Sequence, residues 1–128
     1  MNKIYIMGLM TFLCSLFGCA QEQNYKSLSV DEFEKAISDT TVVRLDVRTA
    51  VEYAEGCIPG SILIDVLKDD FREKVLAQIP KDKTVALYCR TGRRSKTAAN
   101  IMTKEGYKVV ELNKGYAAWA AASKPIDK

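Results

Sequence analysis

The sequence predicts an α/β fold, a doubly wound and mostly parallel sheet with helices on both faces. Short runs of β-branched and apolar residues alternate along the chain with segments of helical period. Strands separated by helices are most simply joined by right-handed crossovers, which makes the strands parallel. The chain has 128 residues, of which 48% are hydrophobic, and this fits one domain with a modest core.

The N-terminal segment differs from the rest of the chain. Residues 1–18 carry Lys3 and then an apolar run, which predicts a secretion signal too short for a stable membrane span of about 20 residues. Leu16-Phe17-Gly18-Cys19 resembles a bacterial lipobox, which implies a lipid on Cys19 and a protein anchored in the cell envelope, periplasm-facing or at the outer membrane. An uncleaved anchor or an ordinary signal peptide remains an alternative. Residues 19–24 are then a tether, and residues 25–128 the folded domain.

The first half of the domain follows the order strand, helix, strand, helix. Residues 25–28 predict a short edge strand. Residues 29–37 open with the capping-box pattern Ser-x-x-Glu and place apolar side chains on one face of a helix. Residues 41–47 are rich in β-branched side chains and predict a strand, and a second Ser/Thr-x-x-Glu pattern opens a short helix over 49–56.

The second half continues the same alternation. Pro80 closes one helix and Gly106 another, as expected for residues that end helices. The remaining predicted elements are strand 61–64, helix 69–79, strand 84–88, helix 95–105, strand 108–112 and helix 116–122. The strand over 84–88 is apolar throughout, which is typical of a strand covered on both faces, so it should lie centrally.

Three charged residues surround the turn after the second predicted strand. Arg48 and Glu52 are four residues apart, which predicts an ion pair that pins the strand-to-helix turn. Asp46 ends the strand and can accept hydrogen bonds from nearby amides. We interpret all three as structural residues near a site, with direct contact to substrate as the alternative.

The segment after the central strand carries the candidate chemistry. Cys89 ends the strand, and a helix is expected to start at Ser95. A helix N-terminus and nearby arginines lower a thiol pKa from about 8.5 to between roughly 3.5 and 7.5, which favours the nucleophilic thiolate. The amides of a glycine-containing loop can also form a concave anion site. The candidate anion-binding loop comprises Arg90, Thr91, Gly92, Arg93, Arg94 and Ser95.

The composition excludes several kinds of site. The chain has no histidine, so it holds no Cys-His dyad, no Ser-His-Asp triad and no histidine metal ligand. We expect neither a metal nor an organic cofactor. The net charge is only +3, and its one basic cluster is residues 90–96, so nucleic acid is not an expected partner.

Two motifs give the chain a specific resemblance. Cys89-Arg90-Thr91-Gly92-Arg93-Arg94-Ser95 resembles the Cys-Arg-x-Gly-x-Arg-Ser active loop of single-domain rhodaneses, which are thiosulfate sulfurtransferase-like proteins. Residues 45–61 resemble the family's Asp-Val-Arg, Glu-Tyr and Gly-His-Ile-Pro-Gly-Ala run. Cys57 stands where the family usually has histidine, and Lys114-Gly115 replaces its Gly-Gly. The resemblance covers about residues 25–126.

The resemblance implies five strands, with the Cys89 strand in the middle, and catalysis through a Cys89 persulfide. The partners would be a small sulfur donor such as thiosulfate and a cyanide or thiol acceptor, with the protein acting as a monomer. A persulfide carrier or binding module without turnover is an alternative. A cysteine phosphatase or arsenate reductase is another, but those enzymes use Cys-x5-Arg, whereas the arginine here, Arg94, comes one place early.

The two cysteines of the domain could in principle pair. A disulfide requires Cα atoms within about 7 Å, and a Cys57–Cys89 bond would consume the nucleophile. We therefore predict that Cys57 is a packed turn residue with a free thiol.

Overall fold

A computed structural model describes residues 24–128. The predicted signal peptide, the predicted lipidation residue Cys19 and nearly all of the predicted tether lie outside the described residues. Within residues 24–128 no helix is both long and apolar enough to cross a membrane.

Five strands and five helices alternate along the described part of the chain. The strands are β1 (Lys26–Leu28), β2 (Val43–Asp46), β3 (Ile62–Leu63), β4 (Thr84–Tyr88) and β5 (Lys108–Leu112). The helices are α1 (Val30–Ile37), α2 (Ala50–Glu55), α3 (Phe71–Gln78), α4 (Arg93–Lys104) and α5 (Gly115–Ala121). The predicted order of elements is confirmed, and most boundaries differ from the prediction by one or two residues.

The five strands form one sheet in the order β1-β5-β4-β2-β3, with every pair parallel. Strand β4 is therefore central, as predicted, with β2 and β5 beside it. Because both neighbours run in the same direction, the carboxyl ends of β2, β4 and β5 meet at one edge of the sheet, where sites in such folds lie.

A separate hydrophobic core covers each face of the sheet. One core contains Leu87 of β4 with Phe71 and Val75 of α3 and Met102 of α4. The other contains Tyr88 with side chains from α1 and α5, and there the Phe33 ring meets Trp119 edge-on at 6.2 Å between ring centres. Alternate side chains of β4 enter opposite cores, which explains why this strand is apolar throughout.

The capping boxes form as predicted at the N-termini of α1 and α2. The Ser29 and Thr49 side chains each accept a hydrogen bond from the amide three residues later, and Glu32 and Glu52 bond back to the cap amides. These paired bonds satisfy amides that would otherwise lack partners at the helix start. Both short helices are thereby stabilised at their N-termini.

Helix α4 begins earlier than the sequence predicts. It starts at Arg93 rather than Ser95, because Gly92 takes a left-handed conformation with φ of 104° and turns the chain directly into the helix. Ser95 is consequently the third helical residue instead of the first, and it is fully buried.

Candidate functional site

Cys89 lies directly after the central strand, at the carboxyl edge of the sheet. Its residue is 1% exposed, so the sulfur lies at the floor of the loop formed by residues 90–95. The Gly92 amide donates a hydrogen bond to Cys89 Sγ at 3.1 Å. The structure thus places one amide of the candidate anion-binding loop, that of Gly92, against the sulfur.

The Cys89 thiol combines burial with several hydrogen-bond donors. Burial alone would raise its pKa, because the thiolate loses hydration. The Ser95 hydroxyl and the amides of Ser95, Gly92 and Thr91 lie around the sulfur, and together these donors outweigh burial, so the pKa of Cys89 lies below that of an ordinary thiol. The site favours the thiolate without any histidine.

The N-terminus of α5 supports the loop from the other side. The Tyr116 amide donates to the Cys89 carbonyl at 2.8 Å, and the Ala117 amide donates to the Arg90 carbonyl at 3.0 Å. Gly115 has φ of 70°, and a Cβ there would meet the Arg90 carbonyl oxygen at 2.3 Å. This close approach requires a glycine at position 115. Lys114, where the family usually has its other glycine, is exposed.

The predicted ion pair between Arg48 and Glu52 is wrong. Arg48 instead binds the Asp46 carboxylate, with its Nη2 atom 2.6 Å from Oδ2, and it also donates to the Gly56 carbonyl. Asp46 is fully buried and Arg48 is 2% exposed. A buried carboxylate needs a compensating cation, and Arg48 supplies it. The Arg48 amide also donates to Asp46, as predicted for bonds to nearby amides.

Arg48 also contacts two aromatic rings. Its guanidinium lies over the Tyr116 ring at 4.3 Å from the ring centre, and also near the Tyr88 ring at 5.6 Å. The Asp46–Arg48 pair therefore joins the end of β2 to the turn at Gly56 and to α5.

Glu52 pairs with the loop arginine Arg94 instead. Two parallel hydrogen bonds of 2.7 and 2.9 Å join the Arg94 guanidinium to the Glu52 carboxylate. The hydrogen bond from Arg94, followed by bonds from Thr49, overcomes burial and lowers the pKa of Glu52 to about 2. Arg94 is held over the loop with part of its charge already compensated.

The other two loop arginines are placed differently. Arg90 and Arg93 are exposed, and neither makes an ion pair within residues 24–128. Thr91 is exposed beside them. These side chains supply uncompensated positive charge at the rim, while the buried backbone amides supply the contacts to sulfur.

A buried carboxylate beneath the loop was missed by the sequence reasoning. Glu111 of β5 is fully buried, and its carboxylate accepts hydrogen bonds from the hydroxyls of Ser95, at 2.6 Å, and Ser27. Lys96 lies 3.1 Å from the same carboxylate. An acidic residue within the apolar run Val109-Val110-Glu111-Leu112 was the signal that could have revealed it.

Cys57 lies in the turn before β3 and is also buried. Its backbone amide and carbonyl both pair with Asp127, at 2.8 Å each, so the C-terminal segment crosses this turn. Burial raises the pKa of the Cys57 thiol, and a hydrogen bond with Tyr53 only partly opposes this. Both Cys57 and Cys89 are free thiols, in agreement with the prediction.

The described residues contain no group of three or more carboxylate or cysteine side chains placed to hold a metal ion. The site consists of a cysteine, convergent amides, guanidinium groups and a buried carboxylate. This set can bind and transfer an anionic group at sulfur.

Comparison with known proteins agrees with this chemistry. Residues 29–122 match the model of the rhodanese-like domain. A sulfurtransferase of Allochromatium vinosum is 35% identical over 98 residues, which cover 75% of this chain and 89% of that protein.

Solved structures give the same result. A rhodanese-related protein from Thermoplasma volcanium has a TM-score of 0.72 and 28% identity, covering 80% of this chain and 98% of that one. The reduced CoADR-RHD protein of Bacillus anthracis has a TM-score of 0.67 and 29% identity, covering 76% of this chain and 17% of that one. The chain belongs to the rhodanese-like family, and its sulfurtransferase relatives support a role in sulfur transfer.

Proposed function

We propose that the protein moves a sulfane sulfur from thiosulfate, or a related donor, to cyanide or a thiol. The Cys89 thiolate attacks the outer sulfur of thiosulfate, the sulfur–sulfur bond of the donor breaks, and sulfite leaves with the bonding electron pair. An acceptor nucleophile then attacks the terminal sulfur of the Cys89 persulfide, and the thiolate is restored. Neither half-reaction involves a metal or an organic cofactor.

One observation carries this proposal. The Cys89 sulfur lies where the amides of Thr91, Gly92 and Ser95 converge at the end of the central strand. Such preorganised donors stabilise anionic sulfur before and after transfer, as an oxyanion hole stabilises oxygen. Sulfite needs little general-acid help to leave, which suits a site with no histidine.

The loop arginines are proposed to hold the sulfonate group of the donor. Arg94 matches the second arginine of the family's loop and is the first choice, with Arg93 as an outer contact. Planar guanidinium groups bind such oxygens through forked hydrogen bonds. Because Glu52 already binds Arg94 through two hydrogen bonds, the donor would share this arginine with the carboxylate.

The decisive experiment combines mass spectrometry with turnover. After thiosulfate treatment, the Cys89 peptide should gain one sulfur atom, and cyanide should remove it with formation of thiocyanate at a steady rate. No added sulfur at Cys89 would refute the mechanism. Stoichiometric labelling without turnover would identify a carrier, and hydrolysis of an aryl phosphate instead would favour the phosphatase alternative.

We also propose that the mature protein is monomeric and tethered to a bacterial membrane by lipid on Cys19. The lipobox-like residues before Cys19 support this proposal. Radiolabelled palmitate should enter the wild type and not the Cys19→Ala variant, and the wild type should fractionate with membranes. Label that survives the substitution, or wild type in the soluble cytoplasmic fraction, would contradict the anchor.

A further inference from the structure

Glu111 is a buried carboxylate that the proposed transfer reaction does not use. It lies on β5, next to the central strand, and its side chain is fully buried. Burying a carboxylate is costly unless it is paired and hydrogen-bonded. Its partners are Ser27 on the edge strand and two consecutive residues of α4, Ser95 and Lys96. Two of these three partners thus belong to the helix that follows the Cys89 loop.

The Ser95 hydroxyl faces two acceptors. It donates to Glu111 Oε2 at 2.6 Å, and it also lies within hydrogen-bonding reach of the Cys89 sulfur. A hydroxyl group has one proton, which it can give to one acceptor at a time. A carboxylate is a strong acceptor, so a bond from Ser95 to Glu111 withdraws that proton from the thiolate.

Lys96 gives Glu111 a second route to the loop. Its ammonium group bonds the Glu111 carboxylate at 3.1 Å, the Gly92 carbonyl at 3.2 Å and Asn113 Oδ1 at 2.9 Å. Gly92 is the residue whose amide donates to Cys89 Sγ. The carboxylate therefore holds the Ser95 hydroxyl directly and, through Lys96, the residue whose amide approaches the sulfur.

We propose that Glu111 is a positioning residue for Cys89, which competes with the sulfur for the Ser95 proton and, through Lys96, fixes the Gly92 end of the loop. The inference rests on Cys89 being the nucleophile of the proposed function. Other charged groups also pack around this loop, so their contributions must stay constant in any test. They are the Glu52–Arg94 pair, Asp65, the Asp46–Arg48 pair at the end of β2, and the exposed Arg90 and Arg93.

The test is the pH dependence of Cys89 alkylation in the full chain, followed by mass spectrometry of the Cys89 peptide. Glu111→Gln removes the competing charge and leaves Lys96 uncompensated, so the midpoint should fall by about one pH unit. Ser95→Ala should raise the midpoint more in the Glu111→Gln background than in the wild type, because there the hydroxyl no longer shares its proton with a carboxylate. This double-mutant cycle isolates the competition for the proton.

Ser27→Ala is the matched control, because Ser27 also bonds Glu111 but does not belong to the loop. It should leave the midpoint unchanged. An unchanged midpoint in Glu111→Gln, or equal effects of Ser95→Ala in both backgrounds, would overturn the proposal. If Glu111→Gln does not fold, Ser95→Ala alone decides. A rise of the midpoint by more than about 0.3 pH units would assign the proton to the sulfur and refute the competition, whereas a smaller rise supports it.

Alkylation reports the ionisation of Cys89 whatever group the thiolate attacks. A failure of sulfur transfer from thiosulfate would therefore leave this result intact. Conversely, normal sulfur transfer with unaltered alkylation midpoints would refute the role of Glu111 alone.

Discussion

The two cysteines of the domain are both buried and free, yet their environments act on them in opposite directions. Cys89 is 1% exposed and Cys57 is 8% exposed, so burial by itself would suppress ionisation at least as strongly at Cys89. Hydrogen bonds from Ser95 and the loop amides nevertheless lower the pKa of Cys89, while burial dominates and raises that of Cys57.

The difference comes from where the neighbouring backbone amides point. Around Cys89 the turn through Gly92 directs amides at the sulfur. In the Cys57 turn, the Cys57 amide pairs with the Asp127 carbonyl, and the Ile58 amide pairs with the Tyr88 hydroxyl. Donor direction, and not depth, therefore separates the thiol with the lowered pKa from the thiol with the raised pKa.

Replacing each thiol by a hydroxyl should give the largest contrast. Cys89→Ser should lower sulfur transfer on the order of 10³-fold or more, because the nucleophile is lost. Cys57→Ser should stay within about threefold of the wild type, since its thiol touches no reacting group. Thiocyanate formation measures both variants, and wild-type turnover in Cys89→Ser would remove the basis for the contrast.

Moving the loop amides should have the next largest effect. In Gly92→Ala, a Cβ would lie 2.0 Å from the Asn113 carbonyl oxygen, at a φ of 104° that disfavours any side chain. Displacing the amide from the sulfur should lower kcat/KM about 10²-fold, as for other lost oxyanion donors.

Gly106→Ala is the control for backbone strain alone. Gly106 has a φ of 97°, but a Cβ there meets nothing within 4 Å. It should lose about 1 to 2 kcal/mol of stability and retain its activity. Equal activity losses in both variants would show that general destabilisation, rather than amide direction, explains the effect.

The sequence predicted the fold and the Cys89 loop well because both depend on local patterns. Alternating elements, capping boxes and the Cys89-to-Ser95 motif are each contained within short stretches of chain. The contacts of the charged side chains were harder to predict, because they join distant parts of the chain. Glu52 binds Arg94, 42 residues away, and Glu111 binds Ser95, 16 residues away. Helical spacing suggested an ion pair between Arg48 and Glu52, but it could not show that Arg48 would bind the buried carboxylate of Asp46 instead.

Neutralising loop cations separates their contribution from that of the amides. Arg94→Ala removes a charge-assisted contact worth about 1.5 to 3 kcal/mol, so kcat/KM should fall roughly ten- to a hundredfold. It also leaves Glu52, 16% exposed, without its cation near the site. Arg93→Ala is the matched control, because Arg93 is exposed, and it should cost less than about threefold. Equal kinetics for the two variants would contradict this ranking.

Alkylation of the wild type tests whether ionisation or accessibility controls the reactivity of Cys57 and Cys89. Accessibility alone predicts faster modification of Cys57, which is the more exposed residue, whereas ionisation predicts faster modification of Cys89 at neutral pH. We expect Cys89 to react first. The midpoint of its pH–rate curve should lie at lower pH than the midpoint for Cys57. Peptide mapping by mass spectrometry distinguishes the sites, and faster modification of Cys57 at pH 7 would contradict the comparison.

The smallest expected effect is on stability, where the two thiols act with opposite signs. The pKa of Cys89 is lowered by folding, so its contribution to the free energy of unfolding is present above the unfolded thiol's pKa of about 8.5 and is lost as pH falls through the folded value. The pKa of Cys57 is raised, so its contribution is present below about 8.5 and is lost as pH rises through the folded value. Between pH 7 and 10, Cys57→Ser should therefore gain stability relative to the wild type, while Cys89→Ser should lose it. Urea unfolding at the two pH values measures both differences, and differences that do not change with pH would show that folding leaves both thiol pKa values unchanged.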